Sequence, residues 1–138
     1  MALDIKLVDY YNATVYGDAA EGFKLLSVFA DVGINLLAFK AVPDGLNQTR
    51  FTIFPDDSSK VSEGAENAGL EIDGPHSAIL VKSDTDEPGE CAMVHEKLAK
   101  AGVHVKESSG IADIKDSYGI VLYIEQEDCE KAITALKN

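Results

Sequence analysis

Cys91 and His95 stand four residues apart in a stretch whose apolar residues recur at helical spacing, so both fall on one side of the expected helix. A thiol and an imidazole so placed could begin a metal site or pair a nucleophile with its base. Two ligands are too few for a structural zinc site, and packing between helices explains the cysteine equally well. The other histidines, His76 and His104, are far from this pair in the sequence. Asp56-Asp57 and Asp84-Asp86 fall in loop-like stretches and would hold a cation weakly. There is no Gly-rich phosphate loop and no Gly-x-Ser-x-Gly. The residues therefore predict no enzyme, no metal and no cofactor.

Composition narrows the classes further. The chain has 138 residues, 46% hydrophobic and 26% charged, which is a globular balance. Twelve Lys and Arg stand against 24 Asp and Glu, for a net charge of −12. Such a field repels a phosphate backbone, so nucleic acid is not an expected partner. The acidic residues are scattered and read as solvated surface. No run approaches the ~18 apolar residues of a membrane span, and no signal peptide is visible at the N-terminus. Cys91 and Cys129 both fall in expected helices and read as free thiols, which suits a reducing cytosol.

The elements that position these residues follow from pattern. Leu3, Ile5 and Leu7 alternate with polar residues as a strand over 3–8 would, 9–12 interrupts it, and 13–16 is a second short strand. A helix follows over about 21–32, with Gly22, Leu25, Leu26, Phe29 and Val32 as its apolar stripe. Gly33 is placed to cap it. The strand 34–42 is apolar on both faces, which predicts cover on both sides. Pro43-Asp44-Gly45 turns the chain into a strand over 48–54, and a Gly64-containing helix over 59–68 reads as weak. Strands over 70–72 and 76–82, a helix over 89–101, strands over 103–109 and 118–124, and a helix over 127–136 complete the order. Residues 110–117 read as the connection between the last two strands.

The second half repeats the first. Moving Gly22, Leu25, Phe29, Val32, Gly33 and Ile34 by half the chain length gives Cys91, Val94, Leu98, Ala101, Gly102 and Val103. The same shift maps Phe51 and Ile53 onto Ile120 and Leu122, and it puts His95 on Leu26, a helix-flank position. One residue less maps Val61, Ala65 and Ala68 onto Cys129, Ile133 and Leu136. The repeat is one of polarity and element order, with few identities. Each half reads βαββαβ, the ferredoxin-like plan. No strand follows the last helix, so Leu3–Val8 is expected to complete the second half, within one chain or by exchange between two.

In this pattern the sequence resembles the ACT domain family, specifically tandem ACT proteins. The residues that carry the resemblance are Asp18, Gly22 and Gly33-Ile34-Asn35 in the first half. In the second they are Asp84, Pro88-Gly89 and Gly102-Val103-His104, with His104 where the family usually has Asn. The resemblance implies an α+β fold of two ferredoxin-like (ACT-type) modules, 1–73 and 74–138, with antiparallel sheets and helices on one face. It implies a regulatory protein that binds an amino acid or related metabolite at its strand-to-helix loops. The ligand contacts carried over are Asp18, Gly22, Asn35, Asp84, Gly89 and His104. The implied partners are a second copy of the chain and an enzyme of amino-acid metabolism. The physical chemistry agrees: a helix N-terminus offers N–H groups to a carboxylate, Asn35 can donate and accept, and Asp18 or Asp84 can meet an ammonium. Each aspartate also reads as a simple helix cap. The rival reading is a ligand-free interaction module that docks on an enzyme or on itself, and the doubly apolar strand 34–42 motivates it.

Overall fold

The computed structural model describes residues 3–113 and 116–138. The chain divides into two compact units, Asp9–His76 and Met1–Val8 with Ser77–Asn138. The first unit holds most of β1 (Leu3–Tyr16), then α1 (Phe23–Asp31), β2 (Leu36–Pro43), β3 (Gln48–Pro55) and α2 (Val61–Ala68). It closes with the first residues of β4 (Asp73–Ser83). The second unit holds the rest of β4, then α3 (Glu90–Lys100), β5 (Val105–Asp113), β6 (Ser117–Ile124) and α4 (Cys129–Lys137). It also takes the start of β1. Strand order is β2-β3-β1-β4 in the first unit and β1-β4-β6-β5 in the second. Each unit is thus a ferredoxin-like βαββαβ module, and the two follow in tandem.

The predicted stripes make the cores. Leu25, Phe29, Ile34, Phe51, Ile53 and Val61 are buried together in the first unit, with Leu26 and Val32 packed against them. Val94, Leu98, Val103, Ile120, Leu122 and Cys129, their shifted counterparts, are buried together in the second. Gly33 and Gly102 stop the helices at positive φ, and the next residue's N–H reaches back to the carbonyl of Phe29 or Leu98. Gly22 and Gly64 have a different task. A Cβ on Gly22 would lie 2.0 Å from Phe51 Cζ, and one on Gly64 would lie 2.7 Å from Phe29 Cδ1. The glycine that weakens α2 is the one that lets α1 seat Phe29.

Four expectations differ from the structure. First, β1 is one continuous strand, with no break at 9–12. The polar residues there have partners: Ser58 Oγ donates to Asp9 at 2.8 Å and Thr52 Oγ1 to the Asn12 side chain at 2.7 Å. Secondly, residues 70–72 form no strand, and pairing starts at Asp73. Thirdly, β2 is not covered on both faces, since Leu37, Phe39 and Val42 are exposed. Among the described residues it is an end strand, paired with β3 alone. Fourthly, β5 runs on to Asp113 through half of the expected connection, whose residues 114–115 lie outside the described ones. The N-terminal segment follows its alternation in part: Leu3 and Ile5 pack against the core of the second unit, while Leu7 is exposed.

Candidate functional site

In the first unit β1 ends at Tyr16, and the chain turns through Gly17 and Asp18 into a short 3-10 turn and then α1. Asp18 caps that turn, its Oδ1 accepting from Ala20 N at 3.0 Å and Glu21 N at 3.4 Å. The loop is tied to the β2–β3 hairpin. Gly17 N donates to Asn47 O at 2.8 Å, and Thr49 Oγ1 donates to Gly17 O at 2.8 Å. Asp18, Asn47 and Gln48 border an open cavity of about 240 Å³ there. Gly22 is buried, with the Phe51 ring where a Cβ would lie.

In the second unit the matching loop, 84–89, is built around a buried carboxylate. Glu90, the first residue of α3, accepts from Thr85 Oγ1 at 3.0 Å, from Ser83 Oγ at 3.5 Å and from the backbone N–H of Glu87. The last contact ties the carboxylate back to the loop three residues before it. Gly89 takes φ +91° just before it, with open space on its Cβ side. Tyr118, paired with Ser83 across β4 and β6, is buried beneath. Among the described residues its hydroxyl has no hydrogen bond of good geometry, with the Ser83 hydroxyl close by. Burial raises its pKa first and the charge of Glu90 next, while the nearby Ser83 hydroxyl pulls it partly back. Asp84 is exposed and, with Lys82 and Asp4, borders an open cavity of about 340 Å³.

The six predicted contacts do not converge within a unit. Asp18 lies at the end of the sheet where Tyr16 pairs with Gln48 and Pro43 with Thr49. Asn35 precedes Leu36, which pairs with Pro55 at the other end. The length of β2 separates them, about 20–25 Å. Asn35 is held there by Asp56, whose Oδ1 accepts from Asn35 N at 3.0 Å and whose N–H donates to Asn35 O at 2.9 Å. His104 is exposed at the corresponding end of the second unit, beside Val105, which pairs with Ile124. Asp84 and Gly89 share the opposite end, with Ser83 and Tyr118. The separation follows from the plan itself, because a helix that crosses back over its sheet must start and finish at opposite ends.

The Cys91–His95 pair forms no site. Cys91 is exposed, and His95 instead turns Nδ1 to the Cys91 carbonyl at 2.8 Å and Nε2 to Ser108 Oγ at 3.1 Å. Among the described residues no group of three metal-ligating side chains occurs. Among them, too, no helix is long and apolar enough to cross a membrane. Glu90, Lys82 and Tyr118 were not singled out by the sequence reading. Asp84 and Pro88-Gly89 are the sequence signals that point to this loop, and none of them reveals that Glu90 is buried.

No protein-family model matches the chain, and no curated protein matches it. Solved structures do. A protein of Bacteroides thetaiotaomicron superposes with a TM-score of 0.80 at 16% identity, over 96% of this chain and 88% of that one. The ligand-free regulatory subunit of aspartate kinase from Thermus thermophilus superposes with a TM-score of 0.64 at 15% identity, over 99% and 95%. Aspartokinase III of E. coli, in complex with lysine and aspartate, gives a TM-score of 0.56 at 12% identity, over 99% of this chain and 32% of that one. At such identities the likeness is one of fold. The chain has the ACT-like fold seen in the regulatory parts of aspartate kinases.

Proposed function

We propose that the chain is a regulatory, non-catalytic protein that binds an amino acid or related metabolite at its strand-to-helix loops and conveys that state to a partner enzyme of amino-acid metabolism. The observation that carries this reading is the cleft beside Asp84 in the second unit. There a cation, Lys82, and two carboxylates, Asp84 and Asp4, border one open cavity, next to a loop held by buried Glu90. A molecule bearing both a carboxylate and an ammonium is complementary to that arrangement, whereas a simple anion meets two like charges. The N–H groups around Gly89 at the start of α3 add donors for the carboxylate. Asp18 is the acid of the strand-to-helix loop in the first unit. Asn35 and His104 are too far away to touch the same molecule within their own unit. We assign them to a second copy of the chain, which makes the working form a homodimer.

Calorimetry with each standard amino acid tests the proposal. One of them should bind, and Asp84→Asn should weaken it by about tenfold or more, the usual cost of losing a charged hydrogen bond. Sedimentation of the same sample should show a dimer. Absence of binding by any amino acid at roughly 10 mM, where a millimolar site is nearly saturated, would falsify the reading.

A further inference from the structure

A second mixed-charge cleft lies in the first unit, away from the residues assigned above. It opens where β4 stops pairing: residues 70–72 are not strand, so from Asn12 to Thr14 the flank of β1 borders a cavity of about 520 Å³. Arg50, the chain's single arginine, borders it from β3, where it pairs with Thr14. Glu71, Ile72 and Asp73 border it from the incoming segment. The polar groups are pre-set. Asn12 accepts from Thr52 Oγ1 at 2.7 Å, and Asp73 accepts from His76 Nε2 at 3.0 Å. Arg50 is exposed and makes no ion pair among the described residues. Half the chain length further on, Ala13, Thr14 and Val15 correspond to Lys82, Ser83 and Asp84, which border the cleft of the second unit. Both clefts therefore occupy one place in the module, beside the end of its first strand where its fourth strand begins. Each combines one cation with two carboxylates.

From this juxtaposition we infer that the Arg50 cleft is a second binding site, for a small zwitterion whose carboxylate meets Arg50 and whose ammonium meets Glu71. The planar guanidinium suits a carboxylate in a two-pronged contact. Glu71 and Asp73 disfavour a ligand that carries negative charge alone. The site is distinct from the loop residues Asp18, Asp84 and Gly89, and it stands or falls separately from them.

Amide chemical-shift mapping of the full chain tests it, with each standard amino acid and with propionate and ethylamine as half-molecules. At least one amino acid should shift the amides of Asn12, Thr14, Arg50, Glu71 and Asp73, and neither half-molecule should. Arg50→Gln and Glu71→Gln, both at exposed positions, should each weaken that binding by about tenfold or more while the spectrum stays folded. Shifts at these residues without shifts at 82–89 would support this site even if the loop site failed. Shifts confined to 82–89, no shift in this cleft with any amino acid at roughly 10 mM, or unchanged binding by Arg50→Gln would overturn it.

Discussion

Gly22 shows how one residue can look like a binding element and act as a packing element. It stands at the start of α1, where a glycine lets a ligand approach the backbone, yet its φ of −68° needs no glycine. What needs it is Phe51, whose ring occupies the space a methyl group would take. Gly22→Ala should therefore cost about 1–3 kcal/mol of stability, the range for overfilling a packed core, in a urea titration without ligand. Tyr118 carries the opposite lesson. Its buried hydroxyl has no well-formed hydrogen bond among the described residues, so Tyr118→Phe should leave stability at neutral pH unchanged or raise it. The raised pKa gives a further test. The folded state holds the phenolic proton more tightly than the unfolded state does. That contribution is complete below the unfolded value of about 10 and is lost as pH rises through the higher folded value. The wild type should lose stability as pH rises above about 10, and the Phe variant should lose less. Equal alkaline losses in both proteins would put the effect elsewhere.

The elements were legible where periodicity is long. The stripes of α1 and α3 could be read from spacing because each turn repeats the same burial. Cys91 is the exception: it fits the stripe but is exposed, while Glu90 beside it is buried by three hydrogen bonds to its own loop. Such a network draws on residues that no helical period relates. The strand break expected at 9–12 failed for a similar reason. Asp9 and Asn12 look like loop residues until Ser58 and Thr52, far along the chain, supply their partners. The start of β1 is an element that the core of the second unit requires, through Leu3 and Ile5. Removing residues up to Val8 should lower the denaturation midpoint and broaden the transition, because those side chains leave a core and a strand edge is uncovered. A truncated protein with an unchanged midpoint would show the segment to be dispensable.

For the molecule as a whole, the repeat of two modules could be read from the sequence, whereas the clefts could not. The Arg50 cleft draws on 12–14, 50 and 71–73, which only the fold brings together. In a chain of net charge −12, its cations at open clefts mark where a carboxylate can come near. The sharing of β1 and β4 between units has a consequence for synthesis. As the chain leaves the ribosome, the first unit has all its strands once His76 has emerged, and it can fold then. The segment 3–8 cannot. Its pairing partner on β4 is made just afterwards, but the helices that bury Leu3 and Ile5 with it come later still. Through that interval it is an exposed strand covalently joined to a finished one, open to pairing with the same segment of a neighbouring nascent chain. Moving residues 3–8 to follow Asn138 would remove the wait and let each module fold in the order it is made.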